Sequence, residues 1–156
     1  DGLFTEIDVT LKKEYIPELV GKNAAITNSN MAFEYITKAF KYLNYKEEVI
    51  ILLLNLRNNI IGWHNLSKGG VKSSIIDIPQ LVGVVGKSNA TGVIMAHNHP
   101  SGSLVPSQGD MASSKKVKEA LKQMDVVLLD HVIVAQEPNE KKPETRYYSL
   151  AEHDQL

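Results

Sequence analysis

Apolar and polar positions along this chain follow two periods. Ala32, Tyr35, Ile36, Ala39, Phe40 and Leu43 recur at helical spacing, with Asn and Ser upstream as caps. Val49–Leu54 is then an unbroken apolar run, Arg57-Asn58-Asn59 is a turn, and Ile60–Leu66 follows. This predicts a hairpin with Asn in the positive-φ positions. Asp77-Ile78-Pro79-Gln80 predicts a helix start, with the helix running to about Ser88 despite two glycines. Gly92–His97 reads as a buried strand closed by Pro100. A helix from Gln108 to about Gln123 places Ala112, Val117, Ala120, Leu121 and Met124 on one broad face. Val126–Ala135 is a long β-branched run and predicts a central strand covered on both faces. A polar loop, Pro138 to Pro143, leads to a short last strand at Arg146–Leu150. The order predicts an α/β fold, a single-domain mixed sheet flanked by helices. Residues 1–30 read as an N-terminal extension, 31–150 as the domain and 151–156 as a polar, mobile C-terminal tail carrying His153.

Composition narrows the chemistry. A chain of 156 residues suits one domain with a proper core. Its net charge of −1 offers no bulk electrostatic case for nucleic acid or an anionic membrane as main partner. The lysines at 12–13, 115–118 and 141–142 lie apart and read as solvated surface charge. No apolar stretch reaches the ~18 residues of a membrane helix, and no signal peptide is visible, so the expected location is the cytoplasm. Cysteine is absent, which excludes disulfides and every Cys-based zinc site, including that of the zinc deaminases.

The chemistry concentrates in His97 to Asp110, reading HNHPSGSLVPSQGD. On a strand, residues i and i+2 point to one face, so His97 and His99 can reach one ion. Asn98, between them, turns away and is expected to brace the loop. Ser107 and Asp110 open the next helix at capping-box spacing, a purely structural arrangement that also settles where Asp110 points. Two neutral imidazoles and one carboxylate leave a tetrahedral Zn²⁺ with its fourth position free for water, the ligand count of a catalytic zinc. The expectation is one Zn²⁺ per chain on His97, His99 and Asp110. His64, His131 and His153 receive no metal role; His131 is expected to serve its strand or bond a neighbour.

His97-Asn98-His99-Pro100 followed by Ser107 and Asp110 resembles the JAMM motif of the JAB/MPN metallopeptidases. The Asn between the histidines and the following Pro-Ser-Gly and Pro-Ser are similar to the bacterial RadC branch, as are Leu129-Asp130-His131 and the turn Leu66-Ser67-Lys68-Gly69-Gly70. The wording resembles that of short RadC-like proteins of Bacteroidetes mobile elements. The resemblance spans roughly residues 32–150 and implies the JAB/MPN, cytidine deaminase-like architecture. It also implies a glutamate on an early strand that takes the proton of the zinc water and returns it to the leaving amine. Glu47 and Glu48 both stand at that point, and period-2 reasoning cannot choose between them; the family's register places the motif glutamate at Glu47. Ser107 is implied as a donor to the oxyanion of the tetrahedral intermediate.

The resemblance implies a zinc metallopeptidase or isopeptidase acting on a protein or peptide. Longer RadC proteins carry a helix-hairpin-helix region that residues 1–30 do not resemble, so the family label of DNA repair gains no support from them. The spacing leaves little room for the insertions with which eukaryotic members hold ubiquitin. Three other readings stay open. One is a DNA-processing hydrolase, which should show a basic groove or a second metal site. Another is a non-haem Fe(II) oxygenase, which shares the two-His-one-carboxylate set but has no use for Glu47 and Ser107. The third is a metal-bearing interaction module without catalysis. An extended peptide is expected to lie between Glu47, the Gly69-Gly70 turn and the His97–Ser107 loop.

Overall fold

The computed structural model describes residues 25–67, 76–136 and 144–156. Residues 1–24, the Lys68-Gly69-Gly70 part of the expected turn and the Pro138–Pro143 loop lie outside them. Three helices, α1 (Ser29–Ala39), α2 (Ile78–Ser88) and α3 (Gln108–Lys122), accompany five strands: β1 (Val49–Leu54), β2 (Ile60–Asn65), β3 (Gly92–Asn98), β4 (Val127–Gln136) and β5 (Thr145–Ser149). The strands form one mixed sheet in the order β2-β1-β3-β4-β5. Among the described residues only the β3–β4 pair is parallel, with α3 as its crossover.

The apolar runs of β1 and β3 are buried on both faces because each face carries helices. Val49, Ile51, Leu53, Val93 and Met95 pack with Leu81 and Val85 of α2 and with Val117 and Leu121 of α3. Ile50, Leu52, Leu54, Ile94 and Ala96 face the other way, onto Ala32, Ile36 and Ala39 of α1. The packed unit begins ahead of residue 31: α1 starts at Ser29, capped by Asn28, and Ala25 bridges to Asn59.

Helix starts follow the cap chemistry. Asp77 caps α2 with Pro79 in its first turn, and Ser107 caps α3 in a capping box with Asp110. In the β1–β2 turn Asn58 alone of the three turn residues takes positive φ, 58°, while the Asn55 side chain accepts from the Arg57 and Asn59 amides. α1 stops at Ala39, short of Leu43, because the Glu48 carboxylate captures the Lys41 and Tyr42 amides at 3.1 and 2.8 Å.

Two expectations need correction. The central strand is β3, while β4 lies next to the edge strand β5. β4 is covered on both faces only from Asp130 to Ala135; Val127 and Leu129 are exposed. The C-terminal residues are also held in place. His153 donates from Nδ1 to the Ser149 carbonyl at 2.8 Å and stacks on Tyr148, with ring centroids 4.0 Å apart.

A register shift in β4 governs the site. Val93 pairs with Leu128 and Ile94 with Asp130, leaving Leu129 as an extra residue. Beyond it the faces swap. His131, paired with Met95, points to the α3 side, and Asp130 points to the α1 side. There Asp130 is buried and accepts from Ser29 Oγ (3.1 Å), Ser149 Oγ (2.6 Å) and the Ala151 amide (3.1 Å), tying α1, β5 and the C-terminal turn to β4. Asp130→Ala strands these donors and is expected to lower stability by about 2–3 kcal/mol, read as a lower urea midpoint. A loss under about 0.5 kcal/mol would show that this tether carries no weight.

Candidate metal centre

Strand β3 delivers His97 as the next residue after Val93 and Met95 on the α3 side, with His99 one step past the strand end. Asn98 points to the opposite face and is fully buried. Its amide donates to the Leu43 and Lys46 carbonyls, both at 2.7 Å, and its oxygen accepts from the Glu48 amide at 2.6 Å. The expected brace is present, and it holds the segment that carries Glu47 against β3.

Parity decides between the two glutamates. Glu47 falls in step with Val49, which pairs directly with His97, so it faces the α3 side. Glu48 falls in step with Ile50 and faces α1, where Asn65 Nδ2 donates to it at 2.9 Å in addition to the two amides beyond α1. Glu48 is spent on the fold.

His97, His99, Asp110 and Glu47 each bring one ligand-type atom into a group lying within 4.8 Å of one another. His97 Nε2 is 2.8 Å from His99 Nε2 and 3.0 Å from Asp110 Oδ1, and His99 Nε2 is 3.4 Å from Asp110 Oδ2. Ligand bonds of about 2.0–2.1 Å in a tetrahedral zinc site imply separations of roughly 3.3 Å, so small shifts seat an ion. The donor chemistry fits as well. His99 Nδ1 lies 2.8 Å from the Ser103 carbonyl, which can only accept. Nδ1 therefore carries the hydrogen, and in the neutral ring Nε2 offers its lone pair to the cluster. Acceptors this close are held together by shared protons in the metal-free protein, and a cation between them can replace those protons.

The charge balance of the metal-free protein shows how strongly these groups are coupled. Asp110 raises the His99 pKa by its hydrogen bond, against the opposing effect of burial, with Ser103 and the charge of Glu47 assisting. Burial works against the Asp110 carboxylate, yet hydrogen bonds from His97 and His99, the His97 charge and the Ser107 amide hold it far below the usual carboxylate range. Ser107 Oγ accepts from the Asp110 amide at 3.1 Å, and the Ser107 amide donates to Asp110 Oδ2 at 2.6 Å. The capping box and the candidate ligand are thus the same side chain, and the Ser107 hydroxyl hydrogen is left free to donate outward.

The cluster borders a cavity of about 250 Å³, walled by Val49, Ile76 and Met95, with Ser107, Gly109 and Ser113 along the α3 side. His131 lies at its floor, and its Nε2 is 2.7 Å from His97 Nδ1. Its Nδ1 bonds Ser114 Oγ. The neighbour expected for His131 is therefore a candidate metal ligand. Ser114 escaped the sequence reading, although Asp110 and Ser114 share a helix face at i, i+4 spacing. His64 lies away from this group on β2, opposite Ile51.

The RadC-like JAB domain family matches residues 26–155. This chain belongs to that family. A UPF0758 protein of Flavobacterium johnsoniae, a member of the Bacteroidetes, is 42% identical over 128 residues, covering 81% of this chain and 52% of the relative. One from Pseudoalteromonas translucida is 34% identical over 127 residues, 81% of this chain and 56% of its own length. One from Staphylococcus aureus strain Newman is 31% identical over 157 residues, 97% of this chain and 65% of its own length. The chain spans little more than half the length of the first two. A five-strand mixed sheet with three helices accords with a JAB fold. Among the described residues no helix is long and apolar enough to cross a membrane.

Burial, then the His97 charge, pushes His131 down to about 3, and burial lowers His64. Groups depressed in the folded state take up protons on unfolding, so their stabilisation is complete above the unfolded value near 6.5 and lost as pH falls. His99 has the opposite sign, but its contribution is already complete below pH ~6.5. The metal-free protein should therefore lose stability steadily from pH ~6.5 to ~4, measured by urea unfolding. His131→Gln should flatten that slope; an unchanged slope would exclude His131 as its source.

Proposed function

We propose that this domain is a zinc-dependent hydrolase that cleaves a peptide or isopeptide amide bond in a protein substrate. The observation that carries the reading is the convergence of His97 Nε2, His99 Nε2 and an Asp110 oxygen beside Glu47 in a cavity open to solvent. His97, His99 and Asp110 would hold one zinc ion, with Glu47 kept out of the ligand set as the base. Zinc bound there supplies a Lewis acid, which acidifies water to a pKa near 7 and polarises a carbonyl.

Glu47 faces the cluster. It accepts one proton from the attacking water and returns it to the leaving nitrogen as the C–N bond breaks. Ser107 turns its free hydroxyl hydrogen toward the oxygen that gains charge, an interaction typically worth about 100- to 1,000-fold in rate. Val49, Ile76 and Met95 exclude water on one side and suit an uncharged substrate group. Net charge supports a peptide rather than a polyanion, because −1 provides no attraction for phosphates.

The test pairs the two glutamates. Glu47→Gln should bind one equivalent of zinc and lose cleavage of a peptide library by about 100-fold or more. Glu48→Gln should retain cleavage and unfold more readily, because its amide nitrogen replaces one of the two oxygens and cannot accept either the Lys41 and Tyr42 amides or Asn65 Nδ2. His97→Ala/Asp110→Ala should take up no zinc. Metal-dependent nicking of DNA that vanishes in Glu47→Gln, with no peptide turnover, would overturn the amide reading in favour of a DNA-processing hydrolase.

A further inference from the structure

Through the apolar core on the α3 side of the sheet runs a line of buried polar groups, Ser114–His131–His97. His131 is 1% exposed, and its neighbours Val132, Ile133 and Val134 are buried aliphatic residues. A leucine or methionine would fill the same volume without needing hydrogen-bond partners. His131 instead has one at each ring nitrogen: His97 Nδ1 at 2.7 Å on Nε2, and Ser114 Oγ on Nδ1. The two imidazoles are tilted at 45° with centroids 4.8 Å apart, which is edge-on bonding rather than stacking.

Proton placement in this line is dictated at one end. If His97 Nε2 holds a metal, the ring hydrogen must sit on Nδ1. His131 Nε2 must then accept it, which puts the His131 hydrogen on Nδ1, directed at Ser114 Oγ. A hydroxyl can accept that bond and turn its own hydrogen elsewhere, so every group in the line is satisfied. With the opposite His97 tautomer, Nε2–H would block the metal position. Ligating histidines usually donate their other N–H to a carbonyl, carboxylate or water. His99 does so through Ser103; His97 has an imidazole in that place.

We propose that His131, held by Ser114, is a positioning residue for the metal centre: it accepts the Nδ1–H of His97 and thereby fixes the tautomer and ring orientation that present His97 Nε2 to the ion. This rests on the metal-site reading above. The register shift at Leu129 is what makes the contact available, since without it Asp130 would face α3 in place of His131.

Zinc affinity, measured by competition with a chromophoric chelator, and the visible spectrum of the cobalt-substituted protein test the proposal without reference to substrate. His131→Leu should bind zinc about 10- to 100-fold more weakly and shift the cobalt bands. His131→Gln, whose side-chain oxygen can accept the same N–H, should recover most of the affinity. Ser114→Ala should fall in the same direction by less. In the zinc-loaded parent, nitrogen NMR should find the His97 hydrogen on Nδ1, with a coupling across the hydrogen bond to His131 Nε2. That measurement decides the matter even if His131→Leu fails to fold. A His97 Nδ1–H with no coupling to His131 Nε2, or a folded His131→Leu with the parent's affinity and spectrum, would overturn the proposal while leaving the zinc site standing; His97 protonated on Nε2 would overturn His97 as a ligand and this role with it. A parent chain that takes up no zinc would overturn the site itself and this role with it.

Discussion

A one-residue slip in the parallel β3–β4 pair decides what this site contains. Side chains alternate strictly along a strand, so pairing Val93 with Leu128 and Ile94 with Asp130 exchanges the faces of everything beyond Leu129. Asp130 goes to the α1 side and is consumed by Ser29, Ser149 and the Ala151 amide. His131 goes to the α3 side and meets His97. With the slip absent, a carboxylate and an imidazole would trade places, and both networks would lose their partners. The extra residue itself packs outward, where Leu129 approaches Gly92: a Cβ on that glycine would come within 3.0 Å of Leu129 Cδ1.

The second constraint is the double use of Asp110. Capping geometry and metal ligation would compete if they needed the same oxygen in different places. Here Oδ2 takes the Ser107 amide at 2.6 Å while Oδ1 stands 3.0 Å from His97 Nε2. The helix start therefore aims the carboxylate, and the backbone amide holds it there without drawing on its remaining lone pairs. Burial of an acidic group in this position is tolerable only because amide and imidazole partners surround it.

Most of the fold was legible because its signals are local. Apolar runs and period-3.6 spacing marked the five strands and three helices of the described residues, and Asp77, Ser107 and Asn58 behaved as caps and turn residues do. What escaped was set by contacts distant in sequence. The end of α1 depends on Glu48, which reaches back to Lys41 and Tyr42. The place of β4 in the sheet depends on which strand pairs with it. At the site, His97-x-His99 and Ser107-x-x-Asp110 are short-range patterns and could be read directly. The choice between Glu47 and Glu48 could not, because an apolar strand buried on both faces does not reveal which face looks at the histidines; the Val49–His97 pair does. The link from His131 to His97 needed the slip in β4, which no periodicity announces.

The two histidines of the cluster are anchored in different kinds of surroundings, and that difference bears on how the site can work. His99 gives its Nδ1–H to the Ser103 carbonyl, within the loop that follows β3. His97 is tied through His131 and Ser114 to the packed interface of β4 and α3. Movement of the Ser101–Pro106 loop would therefore re-aim His99 while leaving His97 and Asp110 in place, since Asp110 is held by the first turn of α3. Two candidate ligands thus belong to β3 and the first turn of α3, and one to a loop that also carries the exposed Val105.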